Sequence, residues 1–317
     1  MLRQVLASLG IFHHHVSRGL VSIVVLSLAS AAAYGCAAVL QHHEAIKQGP
    51  SPAGGGLLAR LVRRPIWLIG SLLDGVGYLF QFLALRRGSL ALVEPILVLS
   101  LVFALPVAAR LEHRRVSSPE VSAAVVTVAG LSLFQEVARP ALGHPTASAA
   151  AWVALSAAIV VACGVLALAA RTGSPKRAAL LYATGSGTAF GYVAAVTERT
   201  GHLLDRGVLH VLVTWPPYVL VVAAVVALVL TQQAFNAGVL RLSLPTLTIA
   251  QPLVAMAIGI GFFGERVHSR GFAPAAEVLG LVVMTVGVYN LTRSPVLTAP
   301  EGAGEGRGHG LPPTIAP

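Results

Sequence analysis

The sequence predicts an all-α polytopic membrane protein: about nine transmembrane helices in two inverted four-helix repeats joined by a linking helix. Three observations carry that expectation. First, 56% of the 317 residues are hydrophobic and only 11% are charged, with a mean hydropathy of +0.78. A water-soluble domain carries about 25% charged residues. Second, the apolar residues fall in blocks of about twenty, the length that crosses roughly 30 Å of hydrocarbon at about 1.5 Å per residue. Third, the pattern is written twice. Glu94-Pro95 recurs as Gln251-Pro252, Glu120 as Glu277 and Gly130 as Gly287, each 157 residues on, and 30–38 recurs as 186–194 at an offset of 156.

The spanning segments follow in order. The first, at about 20–41, is preceded by an amphipathic stretch, 1–19. Residues 42–65 interrupt the apolar pattern with Gln48-Gly-Pro-Ser-Pro52 and Gly54-Gly-Gly56, and cannot span. Spans at 66–86 and 89–110 form a hairpin about the tight turn Arg87-Gly88. The fourth, 118–138, opens on Ser117-Ser-Pro-Glu120: a Ser cap, then Pro and an acid in the first turn. It completes a first repeat, 20–138. The segment 149–170 has no counterpart and is the linking helix. The second repeat, 177–292, holds spans at 177–198, 211–236, 242–263 and 272–292, with Trp215-Pro216-Pro217 setting the start of its second helix and Pro274 and Glu277 echoing the earlier helix start. The tail 296–317, rich in Gly, Pro and Glu, lacks the apolar surface to fold and is expected to be disordered. Four crossings return the chain to its starting side, and a fifth inserts the second copy upside down. Inverted repeats are the arrangement of alternating-access carriers.

The net charge of +10 comes from 22 basic residues, 20 of them Arg, scattered through short inter-helix loops. No basic stripe with interleaved aromatics exists, which argues against a nucleic-acid partner. Loop charge instead sets orientation in the cell (plasma) membrane. With the N-terminus outside, 13 of the 22 basic residues are cytoplasmic, so the expected topology is N-out, C-in. Arg3 and Arg18, followed by Ala31-Ala-Ala33 and Gly35-Cys36, have the look of a cleaved signal. The reappearance of that segment at 186–196 identifies it as a structural helix.

Cys36 and Cys163 both lie in apolar segments, as small packing residues rather than a disulfide or metal pair. The runs His13-His14-His15 and His42-His43 stand about 30 Å apart across the first helix, and neither has the spaced third ligand of a zinc site. There is no P-loop, G-x-S-x-G or H-E-x-x-H, so no enzyme, ATP-driven pump, cofactor or resident metal is expected.

Ionisable residues inside spans are costly and mark function. Asp74 and Glu94 are the candidates. Gln81 lies seven residues before Gly88 and Glu94 six after it, so both sit about 10 Å from the turn and can hydrogen-bond across the hairpin. Asp74, fourteen residues before Gly88, lies about 20 Å away and should not share a close site with Glu94. In the second copy Asn236 and Gln251 flank a turn near Leu242-Ser243, with Gln232 and Gln233 one helical turn before Asn236. The expectation is two polar pairs, Gln81/Glu94 and Asn236/Gln251, facing a central cavity. The alternative is that these amides only join helices. Pro95 and Pro252 directly follow Glu94 and Gln251, each removing a backbone donor beside a polar residue. Glu120, Glu136, Glu198 and Glu277 are expected near helix ends, solvated at the interface.

Ala33-Tyr-Gly-Cys-Ala-Ala-Val-Leu-Gln41, Pro65-Ile-Trp-Leu-Ile-Gly70, Gln81-Phe-Leu-Ala-Leu85, Leu90-Ala-Leu-Val-Glu-Pro95, Phe103-Ala-Leu-Pro-Val-Ala-Ala-Arg110, Gln233-Ala-Phe-Asn-Ala-Gly238 and Leu244-Pro-Thr-Leu-Thr-Ile-Ala-Gln-Pro252 carry a resemblance. Over roughly 20–292 the chain resembles the drug/metabolite transporter superfamily, and within it the branch related to NIPA-type magnesium transporters. The resemblance implies an inverted-repeat, alternating-access carrier of a small solute, with the nine-helix plan of that branch rather than the superfamily's usual ten. Magnesium specificity is not carried over, because Mg²⁺ favours oxygen-rich octahedral sites and the spans hold few carboxylates. The expected function is secondary-active transport, proton- or gradient-driven, of a small metabolite or drug-like solute, with the solute and the lipid bilayer as partners. One alternative is a Mg²⁺ or divalent-cation transporter with Asp74 and Glu94 at separate stations. Another is a non-transporting membrane scaffold.

Overall fold

The computed structural model describes residues 2–47, 63–111, 113, 115–138, 147–237, 240–265 and 273–293, with the side chains of 2–18, 42, 45–47, 236, 240, 241 and 273 outside that description. In chain order the helices are α1 Leu2–Lys47, α2 Pro65–Leu85, α3 Leu90–Leu97, α4 Ser100–Leu111, α5 Ser118–Ala138, α6 Ala149–Ala170, α7 Pro175–Leu203, a 3-10 turn Leu204–Arg206, α8 Val208–Leu212, α9 Pro216–Asn236, α10 Leu240–Gly261 and α11 Ala273–Thr292. Among the described residues there is no strand, and nine stretches are long and apolar enough to cross a membrane. The fold is therefore that of an all-α polytopic membrane protein. The tail 296–317, most of the 42–65 interruption and the runs His13-His14-His15 and His42 lie outside the described residues or side chains.

The helix bounds differ from the sequence expectation at four places. From Leu2 the backbone of the N-terminal stretch is helical and continuous with the first span as α1. The span expected at 89–110 is broken into α3 and α4 at Val98-Leu99, where Leu99 N and Leu101 N bond three residues back to Ile96 O and Val98 O. Pro95, inside α3, has no N–H to continue the regular ladder, and the chain tightens just beyond it. α7 runs on to Leu203 instead of stopping at 198. α9 starts at Pro216, a position where the missing N–H costs nothing, and the residues before it form the separate short α8.

Each half is assembled by the same contacts. Ser30 Oγ on α1 donates to Gly77 O on α2, and Ser186 Oγ on α7 donates to Ala227 O on α9. Gly35 lets α1 lie against α4: a Cβ there would be 3.0 Å from Ala104 N. Gly191, its counterpart, lets α7 lie against α10, where a Cβ would be 2.9 Å from both Gln251 O and Ala255 N. Small residues are how helices gain packing in lipid, where no hydrophobic force drives them together.

The two halves also meet directly. A Cβ on Gly130 of α5 would run into the backbone of Met284 on α11, and one on Gly287 of α11 into Thr127 of α5. Shifted by 157 residues these two contacts exchange. The connector α6 packs chiefly on α7 and turns Val153, Val160, Val161, Val165 and Leu168 outward, the apolar face a bilayer accepts.

Gly130→Val should force α5 and α11 apart and cost about 1–3 kcal/mol, read as a lower melting midpoint in detergent. Gly75→Val is the control, because a Cβ there meets nothing within 4 Å and its melt should be unchanged.

Candidate substrate site between the halves

Glu94 sits one turn into α3, behind a local cap in which Ser89 Oγ accepts from Leu92 N. Its carboxylate is 1% exposed. A buried carboxylate needs donors, and neutral amides from both halves supply them. Gln81 Nε2 of α2 donates to Oε1 at 2.8 Å, and Gln251 Nε2 of α10 donates to Oε2 at 3.2 Å. Gln81 Oε1 in turn accepts from Tyr34 OH of α1 at 2.7 Å. The network Tyr34–Gln81–Glu94–Gln251 thus ties four helices together at one point. Glu94 and Gln251 are also the two residues that correspond under the 157-residue repeat.

The network forms one wall of a cavity of about 440 Å³ between the halves. Tyr34, Tyr78, Gln81, Glu94, Thr248 and Gln251 give it polar groups; Phe190, Val193, Leu220 and Leu247 are among its apolar lining. Tyr78 OH lies 3.2 Å from Thr197 Oγ1, joining α2 to α7 beside it. Among the described residues, no Lys, Arg or His is in the lining.

The structure treats the sequence candidates unequally. Gln81, Glu94, Gln251 and Pro252 line the cavity, and Gln81 pairs with Glu94 across the hairpin. Pro95 is buried within α3 and does not reach the cavity. Asp74 lies outside it, its Oδ2 accepting from Gln41 Nε2 at 2.7 Å. Gln232 and Gln233 are exposed on α9 and are not cavity residues. The side chain of Asn236 lies outside the described residues. Gln251 reaches across to Glu94 of the other half, giving the second buried carboxylate oxygen a donor of its own.

Two acids expected in interfacial water are buried instead. Glu198 is 4% exposed because α7 continues past it, with His202 Nε2 3.8 Å away. Glu120 is buried as a cap, its Oε2 accepting from Ser117 N at 2.7 Å.

The acid that sequence reasoning missed is Glu265. Gly264 adopts φ +65°, a left-handed turn that glycine makes without strain, and reverses the chain after α10. Glu265, 3% exposed, then reaches α3 of the other half: Oε1 accepts from Leu90 N at 2.7 Å and Oε2 from Ala91 N at 3.0 Å. Gly259 provides the room, since a Cβ there would lie 2.7 Å from Glu265 Cδ. Burial pushes the Glu265 carboxyl up to about 7, with the charge of Glu198 adding to this and the two backbone N–H groups opposing it. The same end carries an Arg86–Asp205 ion pair and an aromatic cluster in which Trp152 meets Trp215 at 5.1 Å and Phe262 at 5.0 Å.

The chain is 31% identical over 281 residues to an uncharacterized protein of Corynebacterium glutamicum, a match covering 87% of this chain and 96% of the relative. No family model matches the chain, and no solved structure does.

Because Glu265 binds its proton more tightly folded than unfolded, its contribution to stability is full below about pH 4.5 and is lost as the pH rises through about 7. Between about pH 5 and about pH 8 the melting midpoint of the native protein should therefore fall relative to that of Glu265→Gln, measured in detergent.

Proposed function

The chain belongs to one family with the Corynebacterium glutamicum protein, and from the geometry between its halves we propose that it is a secondary-active transporter working by alternating access. The observation that carries this is the bond between Glu94 and Gln251: equivalent residues of two repeats meet on the wall of a cavity. With four spans on each side of α6, the second repeat enters the membrane inverted. Exchange of conformation between the halves then exposes the cavity first to one face and then to the other.

Glu94 is the coupling group. A proton on it removes the charge and converts one oxygen from acceptor to donor, which the flanking amides of Gln81 and Gln251 accommodate by presenting oxygen instead of nitrogen. A solute entering with a hydrogen-bond donor or a positive charge takes the place of that proton. Among the described residues the lining has one carboxylate, neutral polar groups and an apolar wall, and the cavity volume falls in the range of about 300–1,000 Å³ that holds drug-sized molecules. The solute class that fits is a neutral or cationic small metabolite or drug-like compound. A divalent-cation site has less support: among the described residues no three His, Cys, Asp or Glu side chains converge, and Asp74 is held by Gln41 outside the cavity.

A growth screen of a deletion strain against metals, antibiotics and amino acids identifies the solute. Proteoliposomes with an enclosed pH-sensitive dye then report solute-driven proton movement. Glu94→Gln should abolish that signal at unchanged folded yield, while Gln251→Leu, which removes one donor, should reduce it. Native uptake by Glu94→Gln would overturn the assignment of Glu94. A protein that moves neither metals nor metabolites would point to the scaffold alternative.

A further inference from the structure

We propose that Glu265 is a latch: it holds the two halves closed at the end of the bundle carrying the 86–89 turn, and through α3 it positions Glu94. This rests on the alternating-access reading above. Leu90 and Ala91 are the first two residues of α3, and their N–H groups have no acceptor within the helix. Glu265 accepts from both, across a sequence separation of 175 and 174 residues. α3 already has a local cap in Ser89, so the integrity of the helix does not call for a second one from the other half. What the Glu265 contact adds is a tie between halves.

The position of that tie gives it leverage. α3 is eight residues long, bounded by the Arg86–Ser89 turn at one end and the Val98-Leu99 break at the other. Its first turn is gripped by Glu265, and Glu94 stands on the next. Separation of α10 from α3 at this end must undo both Glu265 bonds and leave two helix-terminal amides and a carboxylate without partners until water reaches them. The same movement carries Glu94 relative to Gln251. The exposed Arg86–Asp205 pair beside the latch is screened and contributes little. Gly259 fixes the latch in place, because its bare Cα is the surface against which the carboxylate lies.

The test measures sidedness. In proteoliposomes, with Cys36 and Cys163 replaced by Ala, a Val93→Cys reporter in the buried face of α3 is labelled with a membrane-impermeant maleimide from each side. Glu265→Gln should speed labelling from the turn end about tenfold, the weight of one charge-assisted hydrogen bond, and slow it from the opposite side. Gly259→Ala, which displaces the carboxylate without altering its charge, should do the same, and Glu265→Asp should restore part of the native rate. Amide hydrogen exchange over Leu90–Leu92 should quicken in parallel. A lowered melting midpoint with labelling unchanged, or faster labelling from both sides alike, would overturn the latch and leave Glu265 a structural cap. Labelling requires no solute, so a sided shift in a protein that shows no flux would uphold the latch and count against transport alone. Unchanged labelling in a protein that does transport would overturn the latch alone.

Discussion

A carboxylate in the middle of an apolar bundle must be surrounded by donors, and the placement of nearly every helix around Glu94 meets that requirement. Its donors are side-chain amides of moderate reach, so α2 and α10 must both come close to α3. The glycines make that approach possible. Gly35 brings α1 down on the break between α3 and α4, and Gly191 brings α7 down on α10 beside Gln251. Tyr34 then supports Gln81 from behind, so a displaced α1 would loosen the hydrogen bond from Gln81 to Glu94. In lipid, where helix faces gain little from mutual burial, one such network joined to a few glycine contacts is enough to fix an arrangement.

The cavity and the closed end are two results of one geometry. α3 is short, and its two turns face different surroundings. The first is gripped through its backbone by Glu265; the second offers Glu94 to the cavity. The aromatic cluster about Trp152 fills the space between α6, α10 and the start of α9 at the same end, with rings in edge-on arrangements that pack tightly without polar partners.

What could be read from the sequence was local or periodic. The Gln81–Glu94 bond followed from counting residues out from Arg87-Gly88, because a tight turn places equal distances side by side. The bond from Gln251 to Glu94 did not follow from such counting; the offset of 157 was the better guide, because it marks these two as matching positions of the repeat. Tyr34 carried the same signal: it stands at the position of Phe190 in the repeated segment, and both line the cavity. Glu265 had no periodic signature, because its role depends on an α3 amide pair more than 170 residues away and on a glycine turn. Glu198 was misplaced for a simpler reason. Its burial hinges on α7 continuing five residues beyond it. Pro95 removes a backbone donor, but the break in the helix appears three residues later, where the three-residue bonds of 99 and 101 form.

The contact between α5 and α11 has a meaning for the origin of the chain. Gly130 against Met284 and Thr127 against Gly287 are one surface patch used in both directions. Such an isologous contact is what two separate copies of a half-length chain make when they pair. In this chain the patch is symmetrical under the 157-residue offset, while the cavity holds an acid, Glu94, and an amide, Gln251, at matching positions. The interface thus has a two-fold dimer's geometry within a single chain, and the room at each contact is shared: a bulkier residue on one helix needs a smaller one on the other.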